Sequence, residues 1–485
     1  MTDTITPEPK TVAPPPQAGA RASATRLGFG IAGVSAVAGS LRPGLGLAIG
    51  LLALLVAAVM VVGPRTWAGL WCASWGLAVP WLIIRDNRWL AICIVATAVA
   101  VAVLAFTARA SGQSLSDFSI GRIIRRSARP NYPSAPMPEL SVPRHMLAVL
   151  RGLLLAAPVL WAFGSLLSSA DSVFAALLGS VDSVFSSLLS FNVGSSVSIS
   201  ILNRPAWFIG LALVAVPVLR FGADRRTSTS VAVPQRVGTT ETSIVFGSVC
   251  ALFALFITSR LSSFGREFGG ELLRDEVRGG FFQLLWVAAL TVALVLVARL
   301  IGGEALNTWR VRSLALLTIA LAAVIDVLAL VRIAGYVRDS FSTPLRVWSF
   351  GFGVWLLVVL AIAAVRVLGV QGQRRWFTVA LLTSWMGFVV AMGLFNPDEW
   401  IATYNFENAP TEPDQFIAVN PLIWLSDDGT EVIIENIEVL RPMPNDRFDR
   451  VVAHLCETPS SDSWRDFNLS RSGAAGSIDD LCGRQ

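Results

Sequence analysis

The stretch "SLALLTIALAAVIDVLALVR", residues 313–332, holds no charge over its first thirteen positions and one carboxylate, Asp326, before Arg332 closes it. Coiled as an α-helix at about 1.5 Å per residue it spans about 30 Å, the thickness of a bilayer's hydrocarbon core. A helix also satisfies its backbone N–H and C=O groups without water, so the stretch reads as a membrane-crossing helix. Nine comparable runs surround it, near 45–63, 67–84, 89–108, 146–168, 206–220, 242–258, 281–299, 347–366 and 376–395. A shorter run at 27–41 makes an eleventh candidate; Arg21 and Arg26 ahead of it also suit a cleaved signal peptide, but the long Pro-rich segment before it favours a span. Composition agrees, since a chain 54% hydrophobic and 15% charged, with mean hydropathy +0.63, lies outside the range of soluble domains. The predicted fold is all-α: a polytopic transmembrane helix bundle of about 11 spans with a small helical C-terminal extracytoplasmic domain.

Charge sets the direction of threading. Residues 397–485 hold 17 acidic and 6 basic side chains, a net of −11, which leaves the first 396 residues at +16. Arginines flanking spans favour the cytoplasm, and the richest connection, 109–145, carries Arg109, Arg122, Arg125, Arg126, Arg129 and Arg144. Counting spans from there puts 220–241, 299–312 and 366–375 on the same inner side. The N-terminus is then cytoplasmic and the acidic tail extracytoplasmic, in a bacterial plasma membrane. Arg85, Arg88 and four arginines of 259–280 fall outside against the rule, the last four balanced by carboxylates.

The organisation follows. Residues 1–26 are a Pro-rich, disordered-looking N-terminus, and 27–128 a four-span unit. The run "RPNYPSAPMPELSVPR" (129–144) cannot continue a helix and serves as a cytoplasmic linker. A seven-span unit covers 145–396, and 397–485 form the tail. Within the seven-span unit, "SADSVFAALLGSVDSVFSSLLS" (169–190) repeats an eleven-residue phrase. Eleven residues are three helical turns plus about 20°, so Val173, Phe174, Leu177 and Leu178 share a face with their repeats and the serines take the other. An outer amphipathic helix over 171–190 is expected, lying on the outer leaflet or docked against neighbouring spans.

Candidate chemistry is sparse. Asp326, as the one carboxylate well inside a span, is a functional candidate by default. It stands five residues from the expected outer end of its span, where Arg346, opening the next, is a candidate partner; the two form either a structural pair or an ion or proton site. His145 and His454 fall on opposite sides of the membrane by this count, and no HExxH, GxSxG or Walker pattern occurs. Gly28-Phe29-Gly30-Ile31-Ala32-Gly33 opens an apolar run rather than a βαβ unit, so it reads as close helix packing. The Asp427-Asp428-Gly429 run is too sparse for a calcium loop and reads as a turn. No catalytic residue, metal site, cofactor or nucleic-acid partner is predicted.

In the tail, Asn396-Pro397-Asp398-Glu399 opens a helix, with Trp400 and Tyr404 as interfacial anchors one turn apart. Residues 430–440 and 446–458 read as two more short helices. Outside the cell Cys456 and Cys482 meet an oxidising compartment and are a candidate disulfide.

Several phrases resemble a bacterial family of membrane proteins known as domain of unknown function 4173, with its sibling 4153. They are "SADSVFAALL" (169–178), "GGFFQLLWVAALTVALVL" (279–296), "YVRDSFSTPLRVW" (336–348), "NPDEWIATYNFEN" (396–408) and "WRDFNLSR" (464–471). The resemblance implies a multi-spanning chain with a segment after the last helix and brings no activity with it. Gln283 stands where that pattern commonly has an acid, which weakens a proton-carrying role for its span.

Three functions from different classes remain. The first, favoured by the concentration of polar surface in the tail, is a non-catalytic scaffold or sensor that sits in the lipid bilayer and docks a protein partner or ligand at the acidic tail. The second is an ion or small-solute transporter using Asp326. The third is a membrane-embedded enzyme acting on lipid or cell-wall precursors, for which the outer cluster Arg266, Glu267, Glu271, Arg274, Asp275, Glu276 and Arg278 is the one candidate; a charge run there reads more simply as a solvated helix face.

Overall fold

The computed structural model describes residues 42–63, 66–110, 144–171, 174–177, 179, 237–264, 273–301, 305–339, 341–369, 375–409, 419–457 and 464–483. The expected spans at 27–41 and 206–220, the N-terminus 1–26, the linker up to residue 143 and most of the 171–190 helix lie outside these residues.

Among the described residues the elements are helical throughout. α1 (Leu45–Val62), α2 (Trp67–Trp75), α3 (Trp81–Ile84) and α4 (Arg88–Ala110) make the N-terminal unit. α5 (Arg144–Ala170), α6 (Thr239–Phe264), α7 (Leu273–Ile301), α8 (Trp309–Asp339), α9 (Pro344–Leu368) and α10 (Arg375–Phe395) follow. These last six are each long and apolar enough to cross a membrane, and Leu45–Met60, Gly69–Ile84 and Arg88–Ala102 are shorter apolar segments. The expected span 67–84 is broken: turns at 76–80 separate α2 from α3, because Pro80 cannot donate to the helical ladder and Gly76 costs it backbone entropy.

Side-chain contacts fix the relative directions of α5 to α9. Phe163 of α5 meets Phe253 of α6 edge to face with ring centroids 5.1 Å apart, and Phe174 meets Phe256 at 5.2 Å. Within the two helices Gly152 lies against Ile244 and Phe163 against Phe253, rising numbers meeting rising numbers, so α5 and α6 run parallel. The chain therefore leaves Asp171 on one face of the bundle and re-enters at Thr239 on the other. α8 is parallel to both, its Arg332 donating to the Ala170 carbonyl at the end of α5 at 3.2 Å and the Cys250 thiol of α6 lying 3.1 Å from the Thr318 hydroxyl, while α7 and α9 return, Arg299 Nη2 donating to the Arg366 carbonyl at 2.7 Å. These five helices enclose one apolar core around Phe246, Phe253, Leu284, Ile325 and Leu356. Exposed leucines such as Leu150 and Leu154 on α5 lie on its outer surface, where lipid replaces water as the solvent.

α10 stands with the N-terminal helices. Its Val389 and Met392 share a core with Trp75, Leu82, Leu90 and Ile94, and Trp385 Nε1 donates to Thr97 Oγ1 at 2.8 Å. Gly393 lets the Trp81 ring approach so closely that a Cβ there would sit 2.8 Å from it. A third core belongs to the C-terminal helices α11 (Pro397–Glu407), α12 (Val419–Ile423), α13 (Thr430–Glu435), α14 (Ile437–Leu440), α15 (Asn445–Glu457) and α16 (Leu469–Cys482). It gathers Ile401, Phe406, Leu422, Ile433, Leu440 and Leu455. Asn396 makes the corner into α11 at φ 49°, a left-handed position that asparagine tolerates better than most residues.

Candidate functional site

The C-terminal helices close on the hairpin between α3 and α4 through a buried polar junction. Arg85 leaves α3 in extended conformation, and Asn87 Oδ1 accepts the Leu90 N–H at 2.9 Å to start α4, leaving Asp86 at the tip. Asn468 caps α16 by accepting from the Arg471 N–H, while its own amide nitrogen donates to the Leu82 and Arg85 carbonyls at 3.1 and 3.0 Å. One short side chain thus ends one helix pair and begins another.

That capping aims Arg471 into the junction. Its Nη2 pairs with Asp86 Oδ1, its Nε donates to Asp427 Oδ2 at 3.1 Å and its Nη1 to the Asp466 carbonyl at 2.7 Å. Asp428 Oδ2 accepts the Asp86 N–H at 3.0 Å, and its Oδ1 accepts the Ser470 hydroxyl. Asp398 Oδ2 accepts both the N–H, at 3.1 Å, and the hydroxyl of Ser426. Four carboxyls thus crowd around a single contacting guanidinium. Burial pushes Asp86 up to about 7, with the Asp427 and Asp428 charges adding to it and Arg471 opposing. Burial likewise lifts Asp428 to about 6, against the Ser470 hydrogen bond, and raises Asp398. The arrangement can hold protons near neutral pH, and it fastens a helical cap to the membrane unit.

The residues singled out from the sequence are distributed around this junction. Asp326 and Arg346 do not pair. α8 runs on to Asp339, so Asp326 lies 13 residues from its end, about 20 Å along the axis, rather than near the interface. Both of its carboxyl oxygens are buried without a hydrogen-bond partner. Arg346, in the first turn of α9, donates to the Phe341 carbonyl and lies over the Tyr336 ring, 4.1 Å from its centroid. Cys456 of α15 and Cys482 of α16 are joined by a disulfide with Cα atoms 6.0 Å apart. Trp400 and Tyr404 stack at 5.0 Å, and the Tyr404 hydroxyl reaches the Val337 carbonyl at the end of α8.

Two features were not anticipated. Asp171, expected at the boundary of an amphipathic face, accepts the Phe174 N–H at 2.8 Å and pairs with Arg260 of α6 at 2.7 Å, its side chain 3% exposed. Asp427 and Asp428, read as a turn, are buried acids at the centre of the junction. Among the described residues no three His, Cys, Asp or Glu side chains are placed to hold a metal ion.

Six long apolar helices with a helical cap define an integral, multi-pass membrane protein. Residues 72–436 match the family model described as "Domain of unknown function (DUF4153)", and the chain belongs to that family. The match covers Asp86, Asp398, Asp427 and Asp428 and ends before Arg471. No curated protein and no solved structure matches the chain.

Proposed function

We propose that the protein is a non-catalytic membrane scaffold or sensor whose C-terminal helices form an acidic cap, on the extracytoplasmic side of a bacterial plasma membrane, for a basic protein partner. The observation that carries this reading is the double mounting of the cap. Arg471 ties it to the α3–α4 hairpin, and Asn405 ties it to the α8–α9 turn, accepting the Ser342 N–H at 2.7 Å and donating to the Ser342 carbonyl at 3.1 Å. A cap held to both membrane units can pass a docking event to either. Its inward acids are used in the junction, while Glu431, Glu435, Asp449, Asp479 and Asp480 remain exposed.

The orientation is supported by parity. The ends of α4, α7 and α9 and the starts of α5, α6, α8 and α10 share the face opposite the cap, which is where the arginine-rich connections fall. The test is cross-linking in intact cells followed by mass spectrometry, with Glu431→Lys/Glu435→Lys in the full chain. Loss of a cross-linked protein at unchanged melting temperature is expected; an unchanged set of cross-links overturns the reading.

A second reading, transport of an ion or small solute, is favoured by Asp326, a carboxyl buried without partner near the middle of a 31-residue helix. Flux in proteoliposomes that disappears in Asp326→Asn would select it.

A further inference from the structure

At the face opposite the cap, three arginines converge on the ends of α7, α8 and α9. Arg299 lies in the last turn of α7 and Arg366 in that of α9, while Arg312 lies one turn into α8. All three are half-buried, next to an apolar core that includes Val295, Val311 and Val367. Arg299 commits one N–H to the Arg366 carbonyl, and the charges that bear on it are those of Arg366 and Arg312, both of its own sign. No carboxylate pairs with any of the three among the described residues, and the side chains of Arg312 and Arg366 make no hydrogen bond there. The sequence has the same imbalance: the connections 299–312 and 366–375 hold six arginines and a single acid, Glu304.

Helix dipoles account for two of the three. A cation in the last turn answers the partial negative charge of the bare carbonyls, as Arg299 and Arg366 do. Arg312 is at the other end: with Arg310 it opens α8, where the dipole is positive and no acid stands in the first turn. Like charges packed together and partly out of water repel more strongly than they do in solution, and an anion seated among them removes that repulsion. Each guanidinium is a planar fork of donors matched to two oxygens of a phosphate. The surroundings say what carries the phosphate. Trp309, one turn before Arg312, is 79% exposed and Leu368, two residues after Arg366, is 47% exposed; at the ends of membrane helices such side chains lie at headgroup level.

We propose that this cationic corner binds the phosphodiester of a net-anionic phospholipid in the leaflet on that face, its two unesterified oxygens accepting from Arg312 and Arg366 and its acyl chains lying along α8 and α9. Basic clusters between the ends of membrane helices suit such headgroups. A zwitterionic headgroup answers the cluster poorly, because its own ammonium meets three like charges. Inorganic phosphate has the oxygens but no chains for the apolar rim. The site lies at the other end of the bundle from the cap, so it stands or falls independently of the protein partner.

The test uses the full chain in detergent with an equimolar mixture of phosphatidylglycerol and phosphatidylcholine of identical chains, retained lipid being counted by native mass spectrometry. Phosphatidylglycerol should be retained at least fivefold better at the collision energy that strips phosphatidylcholine. Arg312→Gln/Arg366→Gln should abolish the preference without lowering the melting temperature, since it removes charges that repel. Arg151→Gln/Arg310→Gln removes as much charge from two exposed side chains on that face, Arg310 standing about 200° round the helix from Arg312, and should leave the preference intact. Equal retention of the two lipids by the wild-type chain, an equal loss in both double variants, or displacement of phosphatidylglycerol by inorganic phosphate but not by chloride at the same ionic strength overturns the proposal. The wild-type comparison needs no variant, so it decides the matter even where a substitution disturbs folding.

Discussion

Arg471 pairs with Asp86 across 385 residues of sequence, joining the first turn of the last helix to the hairpin between two of the first. The guanidinium is 9% exposed and also holds Asp427, so it is the charge that makes two buried carboxylates tolerable. Removing one partner of a buried pair leaves the other uncompensated and costs about 3–5 kcal/mol. Arg471→Met should therefore lower the melting temperature of the detergent-solubilised protein and expose α15 and α16 to protease, while Arg441→Met, which removes only a solvent-exposed pair with Glu438, should do neither.

The junction should tighten on acidification. Burial raises Asp86 to about 7 and Asp428 to about 6, whereas an unfolded aspartate titrates near 3.9. A raised folded-state value means that the folded form holds its proton more tightly, so the stabilisation is complete below about pH 4 and is lost as pH climbs through about 6 to 7. Hydrogen exchange over residues 464–483, corrected for intrinsic rate, should be slower at pH 5.5 than at pH 8. Asp86→Asn should flatten that difference.

The five cysteines divide into a bonded pair and three thiols. Denatured without reductant, the chain should take up three maleimides, at Cys72, Cys93 and Cys250, and five after reduction. Closing a 26-residue separation between α15 and α16 stabilises by roughly 3 kcal/mol on chain-entropy grounds. Reduction should thus loosen the C-terminal core before the membrane helices melt.

Gly393 is a packing requirement. A Cβ there would press on the Trp81 ring at 2.8 Å, while one at Gly387 would meet nothing within 4 Å. Overpacking costs about 1–3 kcal/mol, so Gly393→Val should destabilise the contact between α10 and α3 by that amount. Gly387→Ala should be silent, and a thermal melt of the two variants side by side decides it.

Asp326 predicts a gain rather than a loss. Two buried carboxyl oxygens without partners cost more than an apolar side chain of similar size, so Asp326→Leu should raise the melting temperature, by the equivalent of about 1–3 kcal/mol. A fall would reveal a partner that opposes this.

The six long spans were legible because an apolar run long enough to cross lipid has few other uses. The ends of the spans were not. Nothing in apolar content marks Gly335–Asp339 as a continuation of α8, since a helix can outrun the hydrocarbon once its side chains reach headgroups. That overrun is why Asp326 and Arg346 end at different depths. The junction was hidden for a different reason: Asp427 and Asp428 look like solvated acids until Arg471 arrives from far along the chain. One signal was present. "SADSVFAALL", "YVRDSFSTPLRVW", "NPDEWIATYNFEN" and "WRDFNLSR" hold Asp171, Ser342, Asp398 and Arg471, all four in buried polar contacts at the cap end of the bundle.

Order of synthesis gives the Arg471 contact a further meaning. Ribosomes add roughly 5–20 residues per second, so Asp86 waits on the order of 20–80 s, at that pace, before its counter-charge exists. Throughout that interval the nascent hairpin carries an unanswered acid, and a prematurely terminated product carries it permanently. The folded junction is in this sense conditional on synthesis having reached residue 471.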